Sequence, residues 1–196
     1  MSLQTKVVGI LTKPADEWRE IAAGPSTVEG LIRGYVAPLA AIPAVCAWIG
    51  FSLIGISVPL FGLYRIGFVR GLVAEIVSWV FTIAAVWLDA IIIEKLAPTF
   101  QSHGGTTQAM KLVAYAMTPV WLAGVLNLVP VLSPLQLIAA LYAIYLFYLG
   151  LPPVMKTPSD KVIPYMLVSA IVIILVTIVI GAVVGTLTGL SAYSTL

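Results

Sequence analysis

Two acids stand inside otherwise apolar sequence. Glu75 and Asp89 lie in the run from Phe68 to Ile93, with Arg70 near its start and Glu94-Lys95 just past its end. A carboxyl group in hydrocarbon is costly, so each must face water or hold a partner. The two are fourteen positions apart, and at about 100° per residue a helix turns both to within about 40° of one direction. One arrangement makes them the lining of an ion or proton pathway. The other is structural: Glu75 pairs with Arg65 or Arg70 near one interface, and Asp89 with Lys95 or Lys111 near the opposite one. Both acids lie nearer a span end than the midplane, where long basic side chains snorkel.

Three further features bear on a pathway or on packing. Asn127 lies near the end of a span just before Pro130, placed to hydrogen-bond across helices or to cap a helix end. Tyr142, Tyr145 and Tyr148 repeat every three residues. Such a stripe lines a groove or, more often, packs in a core with its hydroxyls on carbonyls or at the interface. Gly181, Gly185 and Gly189 repeat every four. That small-residue ridge admits close helix approach, within one chain or between two, and the sequence leans slightly to packing within the chain.

Catalytic chemistry has no comparable support. His103 is the only histidine and Cys46 the only cysteine, and they fall in a loop and deep in a span. No serine sits in a nucleophile elbow, no metal-ligand cluster occurs and no glycine-rich phosphate loop is present. Catalytic, cofactor-binding and metal-binding residues are all expected to be absent. The formal charge of +2 is too small to suggest nucleic acid. With one cysteine, no disulfide can form within the chain.

The elements that must position these residues are membrane helices. Hydrophobic residues make up 61% of the chain, charged residues only 9%, and the mean hydropathy is +1.09, whereas an average soluble domain is about 25% charged. From Leu112 to Met155 there is no charge at all. As one helix that run would reach about 66 Å, twice the hydrocarbon core, so it reads as two crossings joined near Pro130 and Pro134. The expected fold is an all-α bundle of five spans at about 34–56, 68–93, 111–129, 134–151 and 164–189, together a membrane domain over 31–191. Residues 57–67 read as a loop that re-enters the bilayer or lies in its interface, 97–108 as a loop, and Pro152-Pro153 as a break.

Residues 1–30 form a cytoplasmic or interfacial segment. Lys13, Asp16, Glu17, Arg19 and Glu20 interrupt any signal-peptide core. Pro14 opens a short helix with Asp16 and Glu17 in its first turn. Trp18, Ile21 and Ala22 share one side, and Gly24-Pro25 ends it. This helix either lies on the membrane surface or packs on the bundle's own cytoplasmic end. Ser26-Thr27-Val28-Glu29 is a capping pattern that starts the next helix near Thr27. With the N-terminus inside, the inner segments hold Lys6, Lys13, Arg19, Arg33, Lys95, Lys111, Lys156 and Lys161, and the outer ones only Arg65 and Arg70. The positive-inside rule therefore orients the chain N-terminus in, C-terminus out.

Particular stretches resemble a known family. Lys13-Pro14 with Trp18 and Ile21, then Tyr35-Val36-Ala37-Pro38-Leu39-Ala40-Ala41-Ile42-Pro43 leading to Ile49-Gly50, is one. Tyr145-Leu146-Phe147-Tyr148-Leu149-Gly150-Leu151-Pro152-Pro153-Val154-Met155-Lys156-Thr157-Pro158, followed by Lys161 and Tyr165, is the other. Together they resemble the Yip domain family, the Ypt- or Rab-interacting proteins, in its bacterial branch. The resemblance implies five membrane helices, a cytoplasmic N-terminus and an inner-membrane location. Eukaryotic members act in vesicle trafficking through small GTPases and one another. Here the cytoplasmic stretch is short and the loops are bacterial in their economy, so the resemblance carries the fold over well and the trafficking role poorly. No catalytic residues transfer. The readings that follow are a non-enzymatic scaffold, adaptor or membrane-organising factor or, alternatively, a small channel or transporter using Glu75 and Asp89. The expected partners are the lipid bilayer and a second copy or another membrane protein.

Overall fold

The charge-poor runs fold as helices of bilayer length. The computed structural model describes residues 3–58 and 62–188. Two short helices, α1 (Leu3–Thr12) and α2 (Pro14–Ala23), come first. Five long apolar ones follow: α3 (Val28–Ile54), α4 (Phe68–Phe100), α5 (Thr106–Leu128), α6 (Pro130–Met155) and α7, whose apolar span is Val162–Val183. The chain is an all-α membrane protein.

Thr27 caps α3, its hydroxyl accepting from the Gly30 N–H at 3.0 Å. Proline then shapes the helix. Pro38 lacks an N–H and its ring crowds the carbonyl one turn back. The turn Ile32–Val36 just before it is widened to π geometry, with the Ala37 N–H reaching Ile32. A second π turn, Gly50–Ile54, ends the helix. α5 is divided in the same way: its α-helical part restarts at Thr118 with Pro119 in the first turn, and Gly124–Leu128 closes as a 3-10 turn.

Several boundaries differ from the sequence expectation. α3 runs over Val28–Ile54 rather than 34–56, and α6 starts at Pro130 rather than 134. After α3 two short strands pair antiparallel, β1 (Ile56–Val58) with β2 (Gly62–Tyr64), in the register Ile56↔Tyr64. Gly55 at φ 81° makes the turn into β1. α4 continues past Ile93 through Leu96 and a 3-10 turn to Phe100. α5 begins at Thr106, five residues before Lys111. Pro152 and Pro153 lie inside α6, which ends at Met155. Burial of Leu151, Val154 and Met155 holds that last turn. The His103 N–H donates to the Met155 carbonyl at 2.9 Å, and Lys156 turns out of the helix at φ 53°.

α5 is the central helix: Ala109 through Ala116 are all buried. α3, α4 and α6 surround it, and α7 packs on α4 at the edge. Ile171, Ile174, Leu175, Ile178 and Val179 of α7 are exposed on the molecular surface, an apolar face for lipid. The tightest crossing joins α3 to the end of α5. A Cβ at Gly50 would stand 1.9 Å from the Asn127 carbonyl oxygen, and one at Gly124 would stand 2.5 Å from Pro43.

Candidate functional site

The two helix ends of the bundle differ in kind. One end gathers α1, α2, the α4–α5 junction and the α6–α7 junction. It is tied by the His103–Met155 bond and by the Ser102 and Thr157 hydroxyls at 2.9 Å. Lys6, Lys13, Arg19, Lys95, Lys111, Lys156 and Lys161 belong to this end, while Arg65 and Arg70 belong to the other.

α1 and α2 are clasped onto this basic end. α2 follows from its sequence: Pro14 sets φ for the first turn, Asp16 and Glu17 sit at the positive end of the helix dipole, and Trp18 and Ile21 point one way. Trp18 is fully buried and Ile21 nearly so. The Trp18 ring packs edge-on against Tyr115, centres 6.3 Å apart, and lies over Gly150 of α6. Three polar contacts fasten the clasp. The buried Lys111 ammonium donates to the Gly24 carbonyl at 2.7 Å and the Ala22 carbonyl at 3.5 Å, where the helix leaves acceptors unfilled. The Tyr142 hydroxyl donates to the Leu11 carbonyl at 2.9 Å. The Lys6 ammonium donates to the Tyr115 hydroxyl at 3.0 Å. Behind it the Tyr35 and Thr118 hydroxyls meet at 2.7 Å, and Thr118 donates to the Tyr115 carbonyl at 2.8 Å.

Glu17 completes this polar layer. It is 8% exposed, and its Oε1 is buried without a hydrogen-bond partner. Burial raises the Glu17 carboxyl above its ordinary pKa, Glu20 adds to the rise and Lys6 opposes it. The outer face of α2 is charged instead, with Asp16 and Arg19 paired at 3.2 Å and both exposed.

The intramembrane residues named from the sequence fall in separate places. Glu75 lines a groove of about 190 Å³ between α3 and α4, with Ala41, Ala44, Val45, Trp48 and Trp79 as apolar neighbours. Asp89 is absent from that lining. It is buried on the stripe of α4 that carries Val86, Ala90 and Ile93. The Tyr165 hydroxyl of α7 donates to the Ile93 carbonyl. Asp89 is one turn from Ile93, and Ser169 one turn from Tyr165 in the antiparallel partner, so the register sets Asp89 and Ser169 at one level. Asp89 Oδ1 and Ser169 Oγ are both buried without a partner. Along α4 the two acids are about 21 Å apart, in opposite halves of a bilayer. Among the described residues neither acid is ion-paired. Lys111 serves the clasp, and the Arg65 Nε donates to the Ile54 carbonyl at 3.4 Å.

Asn127 Oδ1 accepts from Ser133 at 2.9 Å and Gln136 at 2.6 Å, fixing the turn between α5 and α6. Tyr142 belongs to the clasp, while Tyr145 and Tyr148 are largely exposed. Arg70 is exposed at the start of α4. Gly181 has open space where a Cβ would go. Gly185 lies on the same helix, and Gly189 lies outside the described residues. Lys6, Tyr115 and Thr118 were not legible as site residues, because Lys6–Tyr115 and Tyr35–Thr118 are 109 and 83 positions apart. The apolar side of α2 was the one local signal pointing there.

Comparison with known proteins agrees with this architecture. The Yip1 domain matches residues 8–181. The chain is 25% identical over 158 residues to the inner membrane protein YohC of Escherichia coli K12, an alignment covering 79% of this chain and 81% of that protein. The same protein in E. coli O6:H1 matches equally. No solved structure matches. With the matched region running from α1 almost to the end of the α7 span, the chain belongs to the Yip1 domain family.

Proposed function

We propose that this chain is a non-enzymatic scaffold or adaptor of the bacterial inner membrane, with its N-terminus in the cytoplasm and its C-terminus outside. The clasp of α1 and α2 on the basic end of the bundle carries this reading. An adaptor needs a fixed surface beyond the lipid. Here Trp18 and Lys111 hold α2 in place and Tyr142 holds the end of α1, while Lys13, Asp16, Arg19 and Glu20 stay exposed on the outer face of α2. The inner-membrane location draws support from the relative in E. coli, and the orientation from the excess of Lys and Arg at the clasped end. The test is in-membrane crosslinking followed by affinity capture, comparing wild type with Asp16→Lys/Glu20→Lys. The adaptor reading expects one partner, a second copy included, to be recovered reproducibly and lost in the charge-reversed variant. Recovery of the chain alone in repeated captures overturns it.

A second reading, a small channel or transporter, is favoured by one observation: the unpartnered buried oxygens of Asp89 and Ser169 at one level of the α4–α7 seam. Groups of that kind inside a membrane mark ion or proton paths in many proteins. Flux into liposomes holding purified protein tests it. Transport that falls in Asp89→Asn and Glu75→Gln supports the pathway, and no flux in wild type rejects it.

A further inference from the structure

The clasp borders an open cavity that the adaptor reading leaves unused. It measures about 260 Å³, near the small end of ligand sites, and lies between α1, the start of α3 and α5. Its wall is of two kinds. Lys6, Ser26 and Thr27 supply an ammonium and two hydroxyls, while Leu3 and Leu31 supply apolar surface. Val28 is the first residue of the first span, so the cavity sits at the level where headgroups meet the acyl region.

The donors are in a state to bind an anion. The Lys6 ammonium has three N–H groups and gives one to Tyr115, whose ring centre is 5.4 Å away. The Thr27 hydroxyl accepts from the Gly30 N–H, which leaves its own O–H to donate. Among the residues lining the cavity Lys6 is the one charged side chain, and the buried Lys111 and Glu17 both lie within its field. Glu29, on the first turn of α3, is neutralised by Arg33 at 3.0 Å.

From these observations we infer that the cavity binds a phosphate anion through Lys6, Ser26 and Thr27, with Leu3 and Leu31 accepting the apolar part of a glycerophospholipid that carries it. A lipid headgroup and free inorganic phosphate offer the same chemistry to Lys6, and the experiment separates them. Full-length protein in a neutral detergent is titrated with phosphatidylglycerol, phosphatidylcholine and inorganic phosphate, reading bound lipid by native mass spectrometry and the thermal midpoint in parallel. The expected result is preferential binding of phosphatidylglycerol, weakened about fivefold in Lys6→Gln and restored in Lys6→Arg. Lys13→Gln, outside the cavity, leaves binding unchanged. Saturable binding of inorganic phosphate with the same dependence on Lys6 assigns the site to the free anion instead and also supports the inference. Equal binding of all three probes, or equal loss in Lys6→Gln and Lys13→Gln, overturns it. The Lys6→Arg protein, which keeps the bond to Tyr115, guards against mistaking a misfolded variant for an empty site.

Discussion

Trp18→Ala separates a clasped α2 from one that merely rests on the membrane. The Trp18 side chain is 0% exposed. A methyl group at Gly150 would come within 2.8 Å of its Cε2 and Cζ2, so the ring fills its site without slack. Truncating a fully buried tryptophan costs about 3–5 kcal/mol. An undocked helix can place its indole among lipid headgroups, where tryptophan is favoured. That offsets part of the cost, so the lower figure, about 3 kcal/mol, applies, which is roughly a hundredfold shift toward the undocked form. The assay is trypsin cleavage after Arg19, since the Lys13–Pro14 bond resists trypsin, in protein held in lipid nanodiscs. Cleavage within a helix requires it to open, and at low protease the rate follows the open population. Trp18→Ala is expected to be cut about a hundredfold faster than wild type. Trp48→Ala, at the far end of α3, leaves the rate unchanged. Equal rates for Trp18→Ala and wild type refute the reasoning.

Other outcomes follow from the same geometry. Gly50→Ala drives a methyl into the Asn127 carbonyl, a backbone atom that cannot swing aside, and lowers stability by about 1–3 kcal/mol or more. The thermal midpoint in detergent reads this, with Gly181→Ala, where space is open, as the unaffected control. Glu17 gives the clasp a pH dependence. Its docked pKa is raised above 4.5, so the docked state holds the proton more tightly and docking weakens as pH rises from about 4.5 through the docked value. Trypsin sensitivity, normalised at each pH to cleavage of an unfolded control substrate, should therefore rise across that interval in wild type, and much less in Glu17→Gln; parallel normalised profiles contradict the assignment. Orientation is read by membrane-impermeant thiol labelling in a Cys46→Ser background. His103→Cys should label only from the cytoplasmic side and Arg65→Cys only from the outside, and labelling of both from one side contradicts five crossings.

Much of the fold is legible because bilayer length is a coarse and strong signal. The chargeless run from Leu112 to Met155 cannot be one helix, and Pro130 marks where it turns. Thr27 and Gly24-Pro25 read correctly because capping and helix-ending chemistry is local. The paired strands Ile56–Val58 and Gly62–Tyr64 were not legible: each is three residues long, too short for an alternating pattern. Pro152-Pro153 looks like a stop locally, yet long-range burial of Leu151 and Met155 and the bond from His103 carry the helix past it. The site shows the same division. Glu75 and Asp89 stand out as charges in apolar sequence, but the partners expected for them depend on three-dimensional placement. Lys111 illustrates this, since it lies near Asp89 in charge logic but is committed to the carbonyls that end α2. The clasp itself joins residues from α1, α2, α3, α5 and α6, and no spacing within one segment encodes that meeting.

The fixed platform at the basic end is tested most directly by one distance. Spin labels at Glu20→Cys on α2 and His103→Cys at the α4–α5 junction, in a Cys46→Ser background in nanodiscs, report it by pulsed electron resonance. A clasped α2 gives a single narrow distribution that broadens when Trp18 is replaced by alanine. A broad distribution in the otherwise native protein, unchanged by Trp18→Ala, contradicts the clasp and removes the surface on which the adaptor reading stands.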